Sequence, residues 1–115
     1  MLTLKEMQRV LGGELLTPAP DDDRVYSKIF ASDLMSDVLA FIDPGSVLVT
    51  GLVNAHVVRT ATLADVSAIV FVQGKRPDAR IIDEARLNRL PILTTSCSMF
   101  EACSRLSRSL PEGRR

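Results

Sequence analysis

Residues 46–77, SVLVTGLVNAHVVRTATLADVSAIVFVQGKRP, decide the architecture of this chain. Val47-Leu48-Val49 is an apolar run that ends in Thr50-Gly51, and Ala68-Ile69-Val70-Phe71-Val72 is a second that ends in Gln73-Gly74. Between them Asn54, a good N-cap, opens a helix running to about Asp65 with Val57, Val58, Ala61 and Ala64 as its packing stripe. Continuous apolar strands joined by a helix are the pattern of a parallel sheet covered on both faces. Two strands that end alike place two small polar loops side by side at one sheet edge. That edge is where open α/β sheets bind ligands.

Working upstream, Asp43-Pro44-Gly45-Ser46 is a turn by composition. Val25 to Ser32 reads as a strand. Ser32 or Asp33 then caps a short helix with Leu34, Val38 and Phe41 or Ile42 on its inner face. Thr3-Leu4-Lys5-Glu6 is a capping box for a first helix, with Leu4, Met7, Val10 and Leu11 at helical spacing and Gly12-Gly13 as its stop. Glu14 to Thr17 forms a short strand. Pro18, Pro20 and Asp21-Asp22-Asp23 make a solvated turn that lacks the alternation of a calcium loop.

Downstream, Gly74 to Asp78 leads into a helix with Pro77 and Asp78 in its first turn and Ile81, Ile82 and Ala85 inward. Asn88-Arg89 ends it, and Pro91 starts the strand Ile92-Leu93-Thr94. Ser98 and Glu101 form a second capping box for a helix with Met99, Cys103, Leu106 and Leu110 on one face. The expectation is one α/β domain over residues 1–115: a three-layer α/β/α fold with a mostly parallel sheet of four to five strands.

Fourteen basic residues balance fourteen acidic ones, and four Phe and one Tyr are the only aromatics. Neither a basic footprint nor stacking platforms are present, so nucleic acid is not an expected partner. Lys5, Glu6 and Arg9 within the first turns exclude a signal peptide or a span there, and the cytoplasm is the expected location. Two cysteines, Cys97 and Cys103, make no disulfide framework and no zinc or iron–sulfur spacing. Cys97, just ahead of a helix N-terminus, is the better redox candidate, while Cys103 belongs to the buried stripe. His56 is the only histidine, so a multi-histidine metal site is excluded.

The candidate ligand site is the rim formed by the strand ends: Ser32 and Asp33, Thr50 and Gly51, Gln73 and Gly74, Thr95 and Ser96. Asn54 and Ser98 begin helices there, and helix N-termini present unpaired N–H groups to an anion. Lys75, Arg76, Arg59 and His56 add counter-charge. No Walker loop, dinucleotide fingerprint or nucleophile elbow accompanies them, so no catalytic residue, metal or cofactor is expected.

With this series laid out, the chain resembles a DRTGG domain. The resemblance rests on residues 32–41 (SDLMSDVLAF), 49–54 (VTGLVN), 68–77 (AIVFVQGKRP) and 99–103 (MFEAC). It is most similar to small stand-alone members found in anaerobic bacteria near iron-hydrogenase genes, and the fold is similar to the N-terminal domain of HPr kinase. The resemblance implies a non-catalytic regulatory or ligand-sensing module. It also implies a homodimer, a small anionic ligand or nucleotide, and a redox-enzyme partner as an alternative role. Val53-Asn54-Ala55 stands where many relatives carry an acidic–basic pair, and Gln73-Gly74 where a glycine pair is usual.

Overall fold

A computed structural model describes residues 2–20 and 23–110. In chain order the elements are α1 (Leu4–Leu11), β1 (Glu14–Leu15), β2 (Ile29–Ala31), α2 (Met35–Phe41), β3 (Val47–Thr50), α3 (Ala55–Leu63), β4 (Ala68–Phe71), α4 (Ala79–Leu87), β5 (Ile92–Thr94) and α5 (Met99–Arg108). They form a five-stranded sheet of order β1-β5-β4-β3-β2, in which β2 to β5 are parallel and β1 lies antiparallel on β5. The expected α/β fold with a mostly parallel sheet is the one observed.

Strands β2 to β5 are laid down one after another in a single direction. Right-handed crossovers then place all three connecting helices on one face. The core divides accordingly. Leu48, Ile69, Phe71 and Ile92 pack with Val38 of α2, Val57, Val58 and Ala61 of α3, and Ile81 and Ala85 of α4. The alternate residues, Val47, Val49, Ala68, Val70 and Leu93, pack with Met7 and Leu11 of α1 and Ala102 and Leu106 of α5. Each of the strand residues Val47 to Val49 and Ala68 to Phe71 is fully buried. Full burial of an aliphatic side chain contributes about 1.5–3 kcal/mol, so this two-sided strand core is the main source of stability.

The N-caps follow the sequence reading, but among the described residues neither expected capping box closes, because the Glu6 carboxylate pairs with Arg9 and that of Glu101 with Arg105. Thr3, Asn54 and Ser98 side chains each accept backbone N–H groups of the helix they open. Asp78 is itself the N-cap of α4, accepting from Arg80 and Ile81, and Pro77 precedes the cap instead of lying in the first turn. From the cap position the carboxylate satisfies the first-turn N–H groups of Arg80 and Ile81, which it could not do from inside the turn.

Three expectations are corrected. The strand expected over Val25–Ser32 is confined to Ile29–Ala31, because the Tyr26 N–H donates to the Leu2 carbonyl at 2.8 Å and turns the preceding segment towards α1. On α2, Leu34 and Phe41 are exposed, while Val38 is buried and Ile42 joins the core from the C-cap. Neither Ser32 nor Asp33 caps α2 from the N-cap position, which Leu34 occupies with no side-chain bond. Of the expected acidic turn, Asp23 is exposed, and Asp21 and Asp22 lie outside the described residues.

Candidate functional site

The C-terminal ends of β2, β3, β4 and β5 form one rim, and its first half is built around a carboxylate. Asp33, two residues past β2, turns away from α2 and reaches the end of β3. Its Oδ1 accepts from Thr50 Oγ1 at 3.1 Å and from the Gly51 N–H at 2.7 Å. Thr50 Oγ1 in turn accepts the Leu52 N–H at 3.1 Å. Lys75, from the loop after β4, donates through Nζ to the Gly51 carbonyl at 2.8 Å. A Cβ on Gly51 would lie 3.5 Å from Asp33 Oδ1 and 3.6 Å from Lys75 Nζ, so the buried Gly51 peptide sits between an acid and a base. Ser32 is engaged locally, its Oγ accepting the Leu34 N–H at 3.0 Å.

The second half lies between β4 and β5. After β4 the chain crosses to the face of α4, and after β5 to the opposite face of α5. Adjacent strands whose connections leave to opposite faces make a topological switch point, the place where such sheets open a crevice. Here the loops are stitched by backbone bonds: Gln73 N–H to the Cys97 carbonyl and Gly74 N–H to the Thr95 carbonyl, both at 2.8 Å. Thr94 Oγ1 donates to the Lys75 carbonyl and Thr95 Oγ1 to the Leu11 carbonyl, both at 2.7 Å. Beside this seam an open cleft of about 260 Å³ is lined by Gly12, Gly13, Gly74, Arg76, Thr95 and Ser96, among others. Arg76 bridges Glu14 of β1 at 2.9 Å, and the bonded guanidinium holds the Glu14 carboxyl below the usual carboxylate range.

Asn54, His56 and Arg59 belong to the same end but stand apart from both halves. Asn54 Oδ1 is used as a cap, accepting from His56 N at 2.9 Å and Val57 N at 3.3 Å. The His56 and Arg59 side chains are exposed on the first turns of α3. The structure thus gathers Asp33, Thr50, Gly51 and Lys75 into one bonded cluster. It places Gly74, Thr95 and Ser96 at a second, and leaves His56 and Arg59 on the helix surface. Sequence reasoning missed Gly12, Gly13 and Glu14 as walls of the cleft, because β1 joins the sheet beside β5 from 80 residues away in register (Glu14 pairs with Thr94).

Cys97, read as the redox candidate, is buried in the α1/α5 core with its Sγ 3.6 Å from the Leu11 carbonyl. Low-pKa reactive cysteines need solvent access, which this position lacks. Cys103 is half-buried on α5 and burial raises its thiol pKa. Among the described residues no group of three or more His, Cys, Asp or Glu side chains is placed to hold a metal. No described helix is long and apolar enough to cross a membrane.

A mostly parallel α/β sheet with a braced strand rim and a cleft at its switch point defines the structural class of the domain. The DRTGG domain family model matches residues 6–109, and the chain belongs to that family. Among solved structures it is similar to the CBS and DRTGG domains of the regulatory region of Clostridium perfringens pyrophosphatase. That structure contains the activator diadenosine tetraphosphate. The likeness has a TM-score of 0.82 at 22% identity, covering 95% of this chain and 47% of that one. The chain therefore spans about half the length of that regulatory region. No curated protein matches the chain.

Proposed function

We propose that this domain is a non-catalytic regulatory module of the cytoplasm that senses a small anionic metabolite or nucleotide at the C-terminal ends of β2–β5. The observation that carries the reading is the open cleft at the β4/β5 switch point, walled by Gly12, Gly13, Gly74, Thr95 and Ser96 and flanked by Arg76. Gly12 and Gly74 have open space where a side chain would stand, and Arg76, paired with Glu14 of the same cleft, keeps part of its five-donor fork for a ligand. In this reading Ser32, Asp33, Thr50, Gly51 and Lys75 hold the neighbouring loops in place. Asn54, His56 and Arg59 border the site on the α3 side. The activator named for the related pyrophosphatase region is a nucleotide, which supports the same ligand class here. A thermal-shift series with inorganic phosphate, AMP and diadenosine tetraphosphate tests it, since binding to the native state raises the melting temperature by mass action. Stabilisation lost on Arg76→Ala is the expected result. No stabilisation by any of the three at millimolar concentration would refute the reading.

A second reading is favoured by one specific observation. Leu34 and Phe41, seven residues apart and so on one side of α2, are 56% and 70% exposed. Their helix follows β2, one of the two edge strands of the sheet. Such a surface suits a second copy of the chain or a partner such as a redox enzyme. Light scattering decides between them: a homodimer that Phe41→Glu converts to monomer supports self-association, and a monomer at all concentrations rules it out.

A further inference from the structure

A second sizeable cleft lies away from the rim. With a volume of about 530 Å³, it lies at the other end of β5, between the segment 17–20 and the loop that leads from α4 into β5. Its base is fixed: the Leu16 N–H donates to the Ile92 carbonyl at 2.8 Å, and Thr17 Oγ1 accepts the Ile92 N–H at 3.1 Å. Three guanidinium side chains, Arg24, Arg86 and Arg89, share its walls with Pro18, Pro20 and Pro91, and among the described residues that line it none is acidic. Arg86 pairs with Asp83 at 2.9 Å in an exposed bridge, which uses part of its five-donor fork. The Arg89 guanidinium makes no hydrogen bond or ion pair among the described residues. The volume falls within the 300–1,000 Å³ typical of small-molecule sites.

We propose that this cleft is a second ligand site, for a small organic phosphate: Arg86 and Arg89 take the phosphate and the proline walls take the organic part. Guanidinium forks match phosphate oxygens two at a time, and rigid proline faces offer apolar contact without loss of rotamer freedom. The site is independent of the rim, because it lies at the N-terminal ends of the parallel strands.

Arg89 also provides an unusually clean test. It follows the C-cap of α4 with φ of 54°, and the Leu90 N–H closes back on the Ala85 carbonyl at 2.9 Å. Glycine is favoured at this left-handed position, so Arg89→Gly removes the charge without straining the backbone. Calorimetric titration with AMP, with inorganic phosphate as the second probe, reads the site, and amide spectra locate it. The expected result is AMP binding that shifts the amides of Thr17, Leu90 and Ile92. Arg89→Gly and Arg86→Gln each weaken it about tenfold or more, while Arg89→Gly melts at or above the wild-type temperature. Arg108→Gln, exposed in the last turn of α5 and outside both clefts, leaves the shifts of these three amides unchanged. Absence of binding to either probe at millimolar concentration overturns the proposal, as does binding that is insensitive to both cleft variants. Binding lost only on Arg76→Ala would assign AMP to the rim and overturn the second site while sparing the first reading. Phosphate binding as tight as AMP would overturn the role of the proline walls.

Discussion

Replacing Asp33 by alanine removes one carboxylate that serves a strand to which it does not belong. The Gly51 N–H, 2.7 Å from Oδ1, belongs to a buried residue and has no other acceptor among the described residues, so it is left unsatisfied. Such a group costs about 1–3 kcal/mol. The Thr50 hydroxyl, 3.1 Å from the same oxygen, also loses its acceptor but still receives the Leu52 N–H. Because Asp33 itself is exposed, water partly replaces it, and the expected loss is about 2 kcal/mol. For a domain of this size that lowers the melting temperature by ~8 °C. Asp33→Asn keeps an acceptor oxygen in place and loses the charge, so about half of the effect remains. Ser32→Ala removes only an exposed local bond and changes stability by no more than about 0.5 kcal/mol. Urea denaturation followed by circular dichroism gives these differences, and amide exchange at Gly51 reports the bond directly. The reasoning fails if Asp33→Ala unfolds within about 0.5 kcal/mol of wild type and the Gly51 amide remains as protected as before.

Three further perturbations separate causes that lie close together in the chain. Gly12 adopts φ of 57° in open space, whereas a Cβ on Gly13 would meet the Thr94 carbonyl oxygen at 2.7 Å. Asparagine, which tolerates left-handed backbone, is therefore nearly neutral at Gly12, while alanine or asparagine at Gly13 costs about 1–3 kcal/mol, measured by denaturant unfolding. Equal costs of asparagine at the two sites would contradict this. Arg76 lowers the Glu14 pKa in the folded state, so the pair's contribution is present above the unfolded carboxyl pKa and lost as pH falls through the folded one. The melting difference between wild type and Glu14→Gln is correspondingly small at pH 7 and vanishes in acid, and a difference that grows on acidification reverses the sign of the argument. Burial raises the Cys103 thiol pKa and encloses Cys97, so both alkylate more slowly at pH 8 than a free thiol, Cys97 the slower. Rapid labelling of Cys97 with mass-spectrometric readout would show that the α1/α5 core opens readily.

How much of this was legible depended on separation along the chain. The β3–α3–β4 unit, the strand after Pro91 and the caps at Thr3, Asn54 and Ser98 are local patterns, and they stand in the structure where their spacing puts them. The gathering of four strand ends at one rim also followed, since parallel strands leave no alternative. What local pattern does not encode is register. Asp33 has the composition of a helix cap, but an acceptor 18 residues ahead of Gly51 in sequence found stronger donors there. The bridge from Arg76 to Glu14 spans 62 residues, and the arginine-walled cleft joins residues 17–20 to 86–91. These pairings depend on strand order, which periodicity does not report. Val25–Lys28 illustrates the converse: β-forming composition without a strand partner stays irregular.

The single direction in which β2 to β5 are laid down also sets the order in which the domain can assemble. Ile29 pairs with Val47, Val47 with Ala68 and Ile69 with Ile92, so each addition closes a loop of about twenty residues. Only the Glu14–Thr94 pairing must span the whole sheet, and its closure costs about 1 kcal/mol more in chain entropy than any of the others. On this entropy difference residues 2–16 are expected to dock last and open first, like a clasp. Because that clasp carries Gly12, Gly13 and Glu14, its opening undoes one wall of the rim cleft while the four parallel strands stay intact. Amide exchange faster in α1 and β1 than in β3 and β4 would be the signature of this order.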